Sequence, residues 1–243
     1  MLEVLGLLAV GVVAGVVSTV VSLASIVSYP ALLAFGLQPL AANVTNTVAL
    51  VFTAVGAAAG SRPELHGQGS LVLRLGWITA LGGATGAALL LLTPSRTFEM
   101  IAPFLIALAS VLLVRPPGTR PDGDHGLLTR VALFAVAGYI GYFGAAGGIL
   151  MFAVLTAIMD QAPARVNAVK NVVSGLANCV AAVGFALFGP VEWWAVAPLA
   201  AGFLVGGWLG PAIARRLPGR SLRYLAAACG LAVAVKLGID AFA

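Results

Sequence analysis

Asn43-Val44-Thr45-Asn46-Thr47 and Gly82-Gly83-Ala84-Thr85-Gly86 return later in the chain as Asn167-Ala168-Val169-Lys170-Asn171 and Gly206-Gly207-Trp208-Leu209-Gly210. Position 43 becomes 167 and 82 becomes 206, so both motifs recur 124 residues on. Pro94-x-Arg96 follows at the same offset as Pro218-x-Arg220. Three matches in one register mark an internal duplication, although most intervening residues differ. Duplicated halves in an apolar chain are the habit of secondary carriers, whose sites lie where the repeats meet.

The apolar character is plain. Of 243 residues 61% are hydrophobic and 9% charged, against the ~25% charged of a soluble domain. The mean hydropathy is +1.07. The chain is therefore expected in a lipid bilayer, as an all-α integral membrane protein. Its +5 net charge does not indicate nucleic acid, because the basic residues fall in short loops, where they set orientation. Cys179 and Cys229 stand alone in apolar runs and read as packing residues, so neither a metal nor a cofactor is expected. His66 and His125 lie in polar loops, and the start of the chain does not read as a signal peptide.

A bilayer-spanning helix needs ~20 apolar residues. Such runs occur at 40–60, 71–92 and 98–114, and again at 166–188, 193–213 and 221–242. Each half also opens on a longer run, 4–36 and 128–160, interrupted by Ser18, Ser22, Ser25, Ser28 and Pro30 in one case and by Gly138 to Gly148 in the other. Glycine and proline break helices, so each opening run is expected to form a helical hairpin, either re-entrant or crossing twice. The expected organisation is a first membrane repeat at 1–114, a cytoplasmic linker at 115–130 and a second repeat at 131–243.

The basic residues test this arrangement. If each opening run crossed once, the 13 Lys and Arg would divide six to seven between the two sides. If each returns to its starting side, eleven collect on one side and only Arg96 and Lys236 remain on the other. Cytoplasmic loops carry the excess of positive charge, so the second arrangement is expected. The halves would then be inserted upside down relative to each other, with both termini outside the cytoplasm.

Along a helix turning 100° per residue, Asn167, Lys170, Asn171, Ser174 and Asn178 share one stripe, and Asn43, Asn46, Thr47 and Thr53 form a comparable one. Unpaired amides against lipid cost several kcal/mol, so these stripes must face the protein interior, as interhelical bonding or as a substrate path. Lys170 is the sharpest residue, because intramembrane charges are expensive and usually mark a pathway. All eight Asp and Glu lie in loops or at segment ends, which argues against a cation as the solute. Ser22, Ser25, Gly147 and Gly148, at the interrupted hairpins, would let backbone approach a ligand closely. The glycine triplets read as helix-packing positions.

Four stretches carry a family likeness: Tyr29-Pro30-Ala31-Leu32-Leu33-Ala34-Phe35-Gly36, Ala42-Asn43-Val44-Thr45-Asn46-Thr47, Tyr142-Phe143-Gly144-Ala145-Ala146-Gly147-Gly148 and Asn167-Ala168-Val169-Lys170-Asn171. In these the chain resembles the TauE/SafE family of sulfite and organosulfonate exporters. Where many members carry a glycine-rich turn, this chain reads Ser22-Leu23-Ala24-Ser25. The resemblance implies export of a small sulfur-containing anion across the bacterial inner membrane. On that reading Lys170 neutralises the anion, Asn46, Asn171, Asn43 and Asn167 supply amide hydrogen bonds, and Thr47, Ser174, Ser22, Ser25, Gly147 and Gly148 complete the site. No Walker-type motif is present. A passive anion channel, or a carrier of a carboxylate or neutral solute, is the alternative. An enzyme is not expected, despite Lys170 and Ser174 sharing a helix face. Expected partners are the bilayer, the solute and, as an option, further copies of the chain.

Overall fold

The computed structural model describes residues 2–114, 126–145 and 147–216, with Leu231, Val235 and Ile239. The described residues form helices and contain no strand. In order these are α1 (Leu2–Val21), α2 (Ala24–Ala34), α3 (Pro39–Gly60), the one-turn α4 (Arg62–Leu65), α5 (Gly69–Leu92), α6 (Ser95–Val114), α7 (Gly126–Tyr142), α8 (Gly147–Ile158), α9 (Pro163–Phe188) and α10 (Trp193–Ala214). Apart from Leu231, Val235 and Ile239, the apolar run at 221–242 lies outside the described residues, as do residues 115–125, while Gly126 to Arg130 already belong to α7.

Five of these helices are long and apolar enough to cross a bilayer: α1, α3, α5, α9 and α10. Their outward faces carry exposed Trp77, Leu81, Leu89, Val183, Leu187, Phe188 and Trp208. Such surfaces suit hydrocarbon rather than water. Proline fixes two of the starts. Pro39 and Pro163 occupy the first turns of α3 and α9, where the missing N–H has no helical partner to lose.

Each opening run is one longer helix and one shorter helix joined by a sharp break. Ser22 breaks the first at φ 64°, and Gly144 breaks the second at φ 75°. At its far end α2 closes with Gly36 at φ 88°, the Gly36 N–H donating to Leu33 O at 2.9 Å and the Leu37 N–H to Leu32 O at 3.2 Å. That is the Schellman arrangement, which satisfies the last carbonyls of a helix. The Phe35 ring then lies against Gly6, where an added Cβ would come within 2.9 Å of it. The end of α2 has therefore returned to the start of α1.

The helix order repeats with the duplication. α7, α8, α9 and α10 follow α1, α2, α3 and α5 at the motif offset, and helix pairing repeats with the halves exchanged. α10 packs on α1 and α3, as α5 packs on α7 and α9, while α3 and α9 cross each other between them. The glycine triplets make this possible. A Cβ on Gly83 would lie 2.8 Å from Ala177 Cα, and one on Gly207 would lie 3.1 Å from Thr53 Cα. Thr53 is the counterpart of Ala177 at the 124-residue offset. Only hydrogen fits at such crossings, as expected where helices pack without a hydrophobic driving force.

The ends of α3 and α9 are opposed. The Glu192 N–H, just beyond α9, donates to Thr45 Oγ1 near the start of α3 at 3.0 Å. Leu65, in α4 just beyond α3, packs against the cluster that holds Val166, Val169 and Val173 of the first part of α9, and α4 lies on α9. The two corresponding helices therefore run in opposite directions.

Candidate functional site

The breaks in the two hairpins bring polar chain into the centre of the molecule, and the α3–α9 pair receives them. Asn43 Nδ2 donates to Tyr142 O at 3.0 Å, at the end of α7. Asn167 Nδ2 donates to Thr19 O at 3.0 Å, at the end of α1. These are corresponding asparagines doing corresponding work. Each caps carbonyls that the interrupted helix of the other half leaves without an intrahelical partner.

Three residues further along, the two halves differ. Asn46 is buried and turned to its own hairpin, accepting from Ser28 Oγ at 2.6 Å and donating to Ser25 Oγ at 3.2 Å. Its counterpart Lys170 is 2% exposed, and its ammonium donates to Ser22 Oγ at 2.6 Å. The side chain thus turns inward, to the break in α1–α2, and not out to a headgroup layer. No carboxylate pairs with it among the described residues.

Lys170 borders a cavity of about 60 Å³. A water needs ~10–15 Å³ by the same measure, so a few waters or a small oxyanion fit. Ser18, Ser22, Ala24 and Ser25 line it from the first hairpin, and Ile140, Gly144 and Gly148 from the second. From α3 come Leu50, Thr53, Ala54 and Ala57, and from α9 come Lys170, Asn171, Ser174, Gly175 and Asn178. Asn171 Nδ2, Ser174 Oγ and Thr53 Oγ1 are buried without a hydrogen-bond partner. Buried polar atoms in native proteins are nearly always paired. Three orphans around one cavity, beside the Lys170 ammonium, leave hydrogen-bonding capacity that a polar guest would satisfy.

Of the residues singled out in the sequence, Lys170, Asn171, Ser174, Ser22, Ser25 and Gly148 meet at this cavity. Gly148 gives the room for it, since a Cβ there would lie 2.7 Å from Ser22 Cβ. Asn43, Asn46 and Asn167 stand behind the wall, holding the hairpins. Thr47 bonds its own helix at Asn43 O, 3.0 Å away, and Gly147 packs on Tyr139 and Ile140. Thr53 and Asn178 were visible on the polar stripes but not among the expected site residues. Lys170 and Ser174 do not bond each other; the hydroxyl that meets the ammonium is Ser22 Oγ.

No curated protein and no solved structure matches the chain significantly. The profile of one family does, that of the sulfite exporters TauE/SafE, and it spans residues 7–237. Nearly the whole chain is covered, including both hairpins and the α3–α9 pair. This polytopic chain, helical through its described segments and with Lys170 buried beside a small polar cavity, belongs to the sulfite exporter TauE/SafE family of membrane transporters.

Proposed function

We propose that this protein is a secondary carrier that moves a small sulfur oxyanion, sulfite or an organosulfonate, outward across the inner membrane. The anion binds in the cavity between two oppositely inserted halves, and the hairpins expose it to each side in turn. One observation carries the reading. Lys170 is buried without a carboxylate among the described residues, beside the unpartnered Asn171 Nδ2, Ser174 Oγ and Thr53 Oγ1. An anion would satisfy the charge, and its oxygens would accept from the ammonium, the amide and the hydroxyls.

The inverted arrangement draws support from the opposed α3 and α9 and from the exchanged helix pairing. It also accounts for the arginines. Arg215 pairs with Glu64 at 2.7 Å, joining the end of α10 to α4. Arg74 and Arg130 border one cavity, while Arg62 and Arg165 open α4 and α9, which pack together. Arg96 stands at the opposite end of α5, past Leu92. With the arginine-rich side cytoplasmic, both termini would be periplasmic.

Outward movement of an anion down an inside-negative potential gains about 2.3 kcal/mol per charge per 100 mV, so no nucleotide is needed. Purified protein in liposomes should therefore release trapped sulfite faster as the interior is made more negative, with saturation at low flux as a carrier requires. Flux indifferent to potential would contradict uncoupled anion export. A binding screen across sulfite, taurine, sulfoacetate, thiosulfate and simple carboxylates would rank the solutes.

A further inference from the structure

The duplication makes the places where the halves disagree informative, and one such place lies away from the carrier site. Where α5 and α7 diverge near their first turns there is a cavity of about 580 Å³. Leu71, Leu75, Ile78, Leu133 and Ile158 wall it, and Arg74 and Arg130 stand at its rim. Both arginines are exposed, and neither has an ion-pair partner among the described residues.

The corresponding place in the other half, between α10 and α1, is closed. The residues matching Arg130 and Arg74 at the 124-residue offset are Gly6 and Pro198. Gly6 lies under the Phe35 ring, and a Cβ on Gly11 would be 2.9 Å from Gly202 Cα. Ile78 stands where that half has Gly202, and Ala135 where it has Gly11. Ile78 lines the cleft where the other half has glycine, and two guanidiniums stand at the mouth.

We propose that this cleft is a binding site for an acidic phospholipid. The phosphate would sit between Arg74 and Arg130, and an acyl chain would run down the Leu71–Leu75–Ile78 face of α5. The volume is that of an ordinary ligand pocket. Its amphipathic lining, cations at the interface over aliphatic walls, matches an anionic headgroup on a hydrocarbon tail. Basic pockets between transmembrane helices hold such headgroups, and guanidinium forks grip phosphate oxygens in pairs.

The test is native mass spectrometry of the delipidated full chain with phosphatidylglycerol, phosphatidylcholine or inorganic phosphate added. Phosphatidylglycerol should be retained and phosphatidylcholine should not. Retention should fall at least tenfold in the Arg74→Gln/Arg130→Gln double variant. It should persist in Arg62→Gln/Arg165→Gln, which removes the same charge from the same side. Ile78→Trp, which fills the cleft and spares both arginines, should also expel the lipid. Unchanged retention in either cleft variant would overturn the proposal, as would equal loss in the control pair. Displacement of the lipid by millimolar inorganic phosphate would instead make this a soluble-anion site and refute the lipid assignment.

Discussion

Replacing Lys170 by glutamine keeps the length and polarity of the side chain and removes its charge. The ammonium has three donors. One is spent on Ser22 Oγ at 2.6 Å, which leaves two for an occupant of the cavity. Hydrogen bonds to charged groups contribute about 1.5–3 kcal/mol each. A glutamine amide would recover part of one as a neutral bond. The net loss is then about 2–3 kcal/mol, or a roughly 30- to 140-fold weaker hold on the anion at 1.4 kcal/mol per tenfold. Sulfite efflux from proteoliposomes at low sulfite should fall by that factor in Lys170→Gln. Thermal unfolding should not shift down, because an unpaired buried cation is itself expensive to desolvate. Efflux within twofold of the parent, at equal amounts of monodisperse protein, would remove Lys170 from the anion's path. A melting point lowered by many degrees would make it a structural residue.

Four further outcomes are expected. Asn43→Ala and Asn167→Ala each strip a cap from the opposite hairpin, and each should destabilise by about 1–3 kcal/mol, read as a lower melting temperature; no change would mean that these amides do not hold the hairpins. Ser22→Ala keeps a left-handed backbone, which costs an L-residue about 1–2 kcal/mol, while Ser22→Gly relieves it. The glycine variant should therefore melt higher than the alanine variant, and the reverse order would contradict a strained break at φ 64°. Gly83→Leu and Gly207→Leu force a side chain into Ala177 and Thr53 backbone, so both should fail to give a monodisperse peak on size-exclusion chromatography; a normal peak would show that these crossings are looser. Alkaline phosphatase fused at either terminus should be active, and an inactive fusion at either end would refute the inverted arrangement.

Much of this fold could be read from the chain, because bilayer helices announce themselves. The runs at 40–60, 71–92, 166–188 and 193–213 became α3, α5, α9 and α10 with ends moved by a few residues, since proline, glycine and polar loops bound them on both sides. The hairpin breaks were harder. Five interruptions were visible in the first opening run, yet the chain turns at Ser22, a residue with no intrinsic taste for φ 64°. Contacts from α9 and α8 hold it there, and these are long-range in sequence. The polar stripes were legible for the same reason as the helices, by period. A stripe spanning about 100° of helix surface faces more than one neighbour, however, and rotation about the axis decides which residue meets which. Hence Asn171 and Ser174 face the cavity, while Asn43 and Asn167, on equally polar faces, secure the hairpins. Thr53 and Asn178 lay further along those stripes, at a depth that only the crossing of α3 and α9 selects. The α5–α7 cleft had no sequence signature, because it arises where corresponding helices fail to pack alike.

The central claim is that the anion rests against Lys170 in the cavity between the halves. The direct measurement is an anomalous-scattering map of the protein crystallised with selenite, the heavier analogue of sulfite. A peak whose oxygens lie about 3 Å from Lys170 Nζ, with Asn171 or Ser174 as a second contact, is the predicted result. Selenium elsewhere with that cavity dry, or the Lys170 ammonium among lipid headgroups, would contradict it.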